Sequence, residues 1–214
     1  MLKVNEIFKS IQGEGKDVGK PTIFIRLAGC NLRCNFCDTK YAYNEYKLMT
    51  HDEIMEKVYK LSQDKIRRIC ITGGEPLLQK PIYKLIDRLI REKFVVSIET
   101  NGSVDISRLA EKNVIIKMDY KLPSSGMEHK MIKENINFLR EHDELKFVVG
   151  DMKDYKRMKE ILAEFSPLRC EVIVQPVWES DSWKEIAERI LEDSLNVRFN
   201  IQLHKIIWGD VRGR

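Results

Sequence analysis

One pattern narrows the fold of this sequence more than any other: a short β-branched run followed by an amphipathic helical stretch, repeated along the chain. Residues 67–72 read as a strand, and the stretch after them carries Ile82, Leu85, Ile86, Leu89 and Ile90 on one stripe at helical spacing. Residues 94–99 and 114–118 read as further strands, with Asp105 placed to cap a short helix between them. A helix over 129–141, a strand over 145–149, a helix over 151–165, a strand over 171–175 and a helix over 181–193 continue the series. A last strand is expected over 197–203. Ahead of the repeat lie two strands, 2–9 and 22–28. Thr50-His51-Asp52-Glu53 then has the form of a capping box opening a helix to about Ser62. Repeated strand–helix units build a parallel sheet, because each crossover helix packs back onto the sheet it left. The expected fold is α/β: a partial, curved parallel (β/α) barrel of about six strands with an N-terminal strand extension. No linker, low-complexity segment or internal sequence repeat interrupts residues 1–214, so one domain is expected.

The 37 basic and 33 acidic residues are interleaved rather than blocked, as on ordinary solvated helices. No long basic run marks a nucleic-acid partner, and a small anionic substrate fits the balance of +4. No stretch is apolar for long enough to span a bilayer, and residues 1–20 lack the order of a signal peptide. A cytoplasmic protein is expected, a setting in which clustered cysteines bind metal more often than they pair.

Three of the five cysteines do cluster: Cys30, Cys34 and Cys37, spaced C-x3-C-x2-C just after the strand at 22–28. Cys70 and Cys170 fall in or beside predicted strands and read as core residues. Three thiolates are one short of a closed structural metal site. In a four-iron cluster they leave one iron open to a small chelating molecule. A zinc knuckle with a distant fourth ligand is the plainer alternative.

Polar residues gather where the predicted strands end: Gly73-Gly74-Glu75, Thr100-Asn101, Asp119 with Lys121, and Gln175. In parallel α/β folds that edge is where ligands bind, since the loops converge there. Read singly, each motif has a modest explanation. Gly73-Gly74 can simply turn the chain, Gln12-Gly13-Glu14-Gly15 can close a hairpin, and Asp38 or Thr39 can cap the next turn. Arg26 interrupts an apolar strand, which marks either a solvated edge or the partner of a buried anion.

Taken together the motifs say more. The cysteine spacing, with Phe36 between the last two cysteines, and the Gly73-Gly74-Glu75-Pro76 turn after the next strand resemble the radical S-adenosylmethionine superfamily. Ile11-Gln12-Gly13-Glu14-Gly15, Cys37-Asp38-Thr39, Glu99-Thr100-Asn101-Gly102, Pro123-Ser124-Ser125-Gly126 and Gln202-Leu203-His204-Lys205 extend the likeness nearly end to end. Within the superfamily the set resembles the 7-carboxy-7-deazaguanine synthases. That resemblance implies a lyase that contracts the ring of 6-carboxy-5,6,7,8-tetrahydropterin with loss of ammonia, in deazapurine (queuosine-type) biosynthesis. It implies a 4Fe-4S cluster on Cys30, Cys34 and Cys37, and Mg2+ on Thr39. S-adenosyl-L-methionine would then lie against Phe36, Asp38, Gly73, Gly74, Glu75, Asp119, Lys121, Ser125 and Gln175. Substrate would contact Ile11, Gln12, Gly13, Glu14, Arg26 and Thr72. An external electron donor and a homodimer are implied as well. A glycyl-radical-enzyme activase and a non-enzymatic iron–sulfur or zinc module are the alternatives. His204 and Lys205 are assigned structural roles, and the basic tail leaves a contact from Arg214 open.

Overall fold

A computed structural model describes all residues, 1–214. Nine strands form one sheet in the order β3-β1-β2-β4-β5-β6-β7-β8-β9. Strands β1 (Leu2–Ile11) and β2 (Pro21–Leu27) pair antiparallel, and β3 (Lys47–Met49) adds antiparallel to the outer edge of β1. From β2 onward every pairing is parallel, through β4 (Arg68–Gly73), β5 (Val95–Thr100), β6 (Ile115–Tyr120), β7 (Glu144–Val149), β8 (Glu171–Pro176) and β9 (Arg198–Phe199). The sheet is curved and open, and its six long parallel strands with the β1–β3 extension match the expected partial barrel.

Strand alternation divides this sheet into two chemically different faces. One face carries Ile23, Ile25, Ile69, Ile71, Ile98, Ile116, Met118, Leu145, Phe147 and Val174, all in a single buried cluster. Helices α1 (His51–Ser62), α2 (Ile82–Arg91), α4 (Met152–Glu164) and α5 (Trp183–Glu192) cover it with their own apolar stripes, and α3 (Ser107–Ala110) fills a short crossover. The intervening residues, Arg26, Cys70, Thr72, Glu99, Lys117, Asp119, Lys146 and Gln175, belong to the other, concave face. Polar side chains there need partners or ligands.

Helix starts follow their sequence signals. Thr50 and Glu53 form the reciprocal capping box, the Thr50 hydroxyl accepting from Glu53 N–H and the Glu53 carboxylate accepting from Thr50 N–H. Such a cap contributes about 1 kcal/mol. Asp105 accepts from Ser107 N–H at 2.8 Å at the start of α3.

Two expected elements differ. Residues 129–141 do not form an α-helix; they make 3-10 turns at Glu128–Lys130 and Lys133–Phe138. The cause is Asn135, whose buried amide donates to Gly102 and Val104 carbonyls while its oxygen accepts from Ile106 N–H. Those bonds draw the segment onto the β5–α3 connection, in competition with a helical ladder. The strand expected over 197–203 is also cut to two residues, and α6 (Leu203–Trp208) follows it. Asn200 N–H still bonds Val174 O, but its side chain and that of Gln202 turn to Gly15 N–H and Glu14, and the pairing goes no further.

Candidate active site

The cysteine loop leaves β2 through Ala28-Gly29 and returns to the wall of a cavity of about 360 Å³ at the strands' C-terminal ends. Cys30, Cys34 and Cys37 are half-buried and all line that cavity. No three Cys, His, Asp or Glu groups stand close enough to hold a single metal ion. The loop therefore presents its thiols to one cavity without gathering them at one point. A cube of four irons asks for this arrangement, since each thiolate bonds a different iron. Donors also face sulfur: Leu32 N–H lies 3.4 Å and Asn101 Nδ2 3.7 Å from Cys30 Sγ. Burial pushes the Cys30 and Cys34 thiols up, and Lys121 opposes it at Cys34.

Beside the loop sits the Gly73-Gly74 turn at the end of β4. A Cβ on Gly74 would lie 2.1 Å from the Gly29 carbonyl oxygen and 2.8 Å from Cys30 Cβ, so only glycine permits this contact. Gly74 N–H donates to Leu27 O and Glu75 N–H to Gly29 O, at 3.1 and 2.8 Å. Both glycines reach the wall.

Glu75 does not. Its carboxylate is fully buried and accepts from Leu77 N–H, Asn101 N–H and the Thr100 hydroxyl. Burial pushes its carboxyl up to about 7, against those donors. Glu75 lies behind the wall and braces the glycine turn against Thr100-Asn101. Ser125 lies behind the wall likewise. It is fully buried, its hydroxyl donates to Leu122 O, and its carbonyl accepts from Asn35 N–H within the cysteine loop.

The remaining expected residues all line the one cavity. Phe36, Asp38 and Thr39 extend the cysteine loop along it. Thr39 Oγ1 donates to Asp38 Oδ1 at 2.7 Å, so its lone pairs are left for a hard cation. Asp119 and Lys121 pair at 3.0 Å on the side of Cys34. Across the cavity stand Ile11, Gln12, Gly13 and Glu14 of the β1–β2 connection, with Arg26 and Thr72; Gln175, expected at the cofactor, stands with them, 3.3 Å from Glu14.

Arg26 sits opposite Glu6 in the antiparallel register, and its Nε donates to Glu6 Oε1 at 2.8 Å. Phe8 and Tyr41 flank the guanidinium at 5.7 and 5.8 Å. Burial lowers its pKa, but Tyr41 and Glu6 outweigh that and raise it, so the cation is secure. Both Nη groups are without a protein acceptor and suit a carboxylate.

Several wall residues had no ligand-binding role assigned from the sequence. Glu99 accepts from the Thr72 hydroxyl at 2.7 Å, from Cys70 Sγ at 3.3 Å and from Gln12 Nε2 at 3.4 Å. Lys146 donates to Glu14 at 2.6 Å. Strand alternation held the signal, since Glu99, Asp119 and Lys146 each stand between two buried residues, Ile98 and Thr100, Met118 and Tyr120, Leu145 and Phe147. His204 and Lys205, expected to be structural, also line the cavity, as do Gln202 and Arg214. His204 packs so tightly on Gly13 that a Cβ there would lie 2.0 Å from Nδ1, and Leu203 N–H donates to Gly13 O. Cys70 and Cys170 are buried, as expected.

Thiols for an iron–sulfur cluster beside a glycine turn, at the mouth of a partial parallel barrel, define the class. The Radical SAM superfamily signature matches residues 24–120, so this is a radical S-adenosylmethionine enzyme, with the 4Fe-4S cluster and S-adenosylmethionine that the class implies. Relatives extend the likeness over almost the whole chain. The 7-carboxy-7-deazaguanine synthase of Clostridium acetobutylicum is 42% identical, covering 97% of this chain and 96% of its own. That of Chlorobaculum tepidum is 40% identical over 99% of this chain and 97% of its own. The crystal structure of QueE from Escherichia coli superposes with a TM-score of 0.77 at 26% identity, covering 95% of this chain and 94% of that one. The chain belongs to the 7-carboxy-7-deazaguanine synthase family. No helix is long and apolar enough to cross a membrane.

Proposed function

We propose that this enzyme converts 6-carboxy-5,6,7,8-tetrahydropterin to 7-carboxy-7-deazaguanine with loss of ammonia, a Mg2+-dependent radical ring contraction in deazapurine biosynthesis. The observation that carries the reading is the far wall of the cavity. It opposes the cysteine loop with one cation whose Nη groups are free, Arg26, and with a cluster of acceptors at Glu14, Glu99 and Gln175. A pterin carboxylate and its N–H-bearing edge are the complement of that wall. The activase and metal-module alternatives leave Arg26 and the acceptors without a role.

When bound on Cys30, Cys34 and Cys37, the cluster with S-adenosylmethionine supplies a hydrogen-abstracting carbon radical. The protein's part is to bind and orient. Gly73 and Gly74 offer backbone carbonyls to the methionyl amine, while Phe36, Asp38, Asp119 and Lys121 border the rest of the cofactor. Arg26 holds the substrate carboxylate; Gln12 and Glu14 read the ring, with Ile11 and Gly13 covering it and Thr72 opposite. Thr39 is the protein ligand of Mg2+, its hydroxyl turned by Asp38. An external one-electron donor and a homodimer complete the reading.

Anaerobic incubation with S-adenosylmethionine, dithionite, Mg2+ and the carboxytetrahydropterin tests it. Appearance of the deazaguanine chromophore is expected. Formation of 5′-deoxyadenosine without that chromophore would sink the substrate assignment.

A further inference from the structure

Lys146, on β7, stands between two carboxylates of the concave face. Its Nζ is 2.6 Å from Glu14 Oε2 and 3.4 Å from Asp119 Oδ1. With the Lys121–Asp119 pair at 3.0 Å, this makes a run of alternating charge from beside Cys34 to the β1–β2 connection. On its other side, Glu14 Oε1 accepts from Gln202 Nε2 at 2.7 Å and from Gln175 Nε2 at 3.3 Å. An ionised carboxylate only accepts, so it fixes which end of the Gln175 amide faces it. Gln175 Oε1 is turned away as a result. That oxygen is buried with no partner, on a residue 3% exposed that lines the cavity. A buried acceptor without a donor calls for a ligand N–H.

We propose that Lys146 is a positioning residue for substrate choice: it holds Glu14 as an acceptor, Glu14 holds Gln175 with Oε1 free, and both acceptors select a ring that presents adjacent N–H donors. Resting on the function proposed above, this gives a lysine of the wall, acting through Glu14 and Gln175, control over rings with and without the 2-amino donor. The 2-amino-4-oxo edge of a pterin presents an amine and a ring N–H. A 2,4-dioxo ring sets a carbonyl against the same acceptors, and two acceptors face to face reject one another. Burial alone would raise the Glu14 carboxyl; Lys146 outweighs it and holds the group well below the carboxylate range. Without Lys146, the partly buried Glu14 has no counter-ion and gains by taking a proton or turning away.

Fluorescence titration of the reconstituted holoenzyme with 6-carboxypterin and with 6-carboxylumazine, its 2-oxo counterpart, tests the assignment. The wild type should prefer the pterin by roughly tenfold or more. Lys146→Met should bring the ratio to within about threefold of one by weakening the pterin, and Lys146→Arg should restore it. S-adenosylmethionine affinity should move less than about threefold in both, since Asp119 keeps Lys121. The double variant Glu14→Gln/Lys146→Met removes both charges of the pair. It should recover any melting temperature lost in Lys146→Met without recovering the ratio. A Lys146→Met enzyme with the wild-type ratio, or one that loses cofactor and pterin affinity equally, would overturn the proposal, as would a wild-type ratio near one. A wild-type enzyme that keeps the preference but forms no deazaguanine defeats the proposed function alone. Turnover with a ratio indifferent to Lys146 defeats this inference alone.

Discussion

Replacing Gly74 by alanine tests whether packing of the glycine turn positions the cysteine loop. The added methyl would fall 2.1 Å from Gly29 O, 2.6 Å from Gly29 C and 2.8 Å from Cys30 Cβ. Two of these are backbone atoms, and the paired bonds from Gly74 N–H and Glu75 N–H hold them in register. Ordinary contact begins at 3.4 Å, so the loop must retreat by the difference from 2.1 Å. That displacement of about 1.3 Å falls on Cys30, and a shift of about 1 Å at a reacting centre costs on the order of a hundredfold in rate. Overpacking adds roughly 1–3 kcal/mol of destabilisation, which at this chain length lowers Tm by roughly 2–12 °C. Anaerobic reconstitution followed by iron analysis, reductive formation of 5′-deoxyadenosine and a thermal melt measures all three consequences. Gly150→Ala is the control, because the nearest atom to its Cβ, at 2.8 Å, is the Ser124 hydroxyl, a side-chain end that can rotate. Its cleavage rate should stay within roughly threefold of wild type. If Gly74→Ala cleaves the cofactor at the wild-type rate and melts unchanged, steric fit of the turn is not what sets the geometry.

Other perturbations separate the roles of neighbouring groups. Arg26→Lys keeps the charge but loses the planar fork, so the KM for the carboxytetrahydropterin should rise roughly tenfold or more while cleavage of S-adenosylmethionine without substrate holds; an unchanged KM removes Arg26 from the substrate site. Thr39→Ala should shift the Mg2+ dependence of product formation upward by roughly tenfold at constant iron content, and normal turnover at limiting Mg2+ would show the ligand to be misassigned. Glu75, raised from 4.5 to about 7, stabilises the fold fully below 4.5 and loses that contribution as pH climbs through about 7. Wild type should therefore lose roughly 3 kcal/mol relative to Glu75→Gln between pH 4.5 and 8. Chemical denaturation across that range reads the difference, and a flat profile would contradict it.

The order of elements was legible because each strand ends in a turn signal and each helix carries one apolar stripe. It failed at Asn135 and Asn200, where one polar side chain finds long-range partners that no local pattern announces. The cysteine loop was legible for a different reason. Its ligands are consecutive, so their spacing survives in one line of sequence. Glu75 and Ser125 lie behind the cavity wall, a placement their motifs do not announce, because a motif records that a residue matters and not which way it faces. Lys146 and Glu99 lie within strands, and the alternation of faces, with partners 132 residues away for Lys146 and 27 to 87 for Glu99, gives them meaning.

The lock on the β1–β2 connection comes from far downstream. Asn200, Gln202 and Leu203 bond Gly15, Glu14 and Gly13 across sequence separations of 185, 188 and 190 residues. Synthesis proceeds from the N-terminus and the growing chain folds as it emerges. The iron-binding half, Cys30 through Asn101, is therefore available well before the residues that fasten the opposite wall have been made. The wall that would read the substrate ring is fastened only once residues 200–203 have emerged and docked.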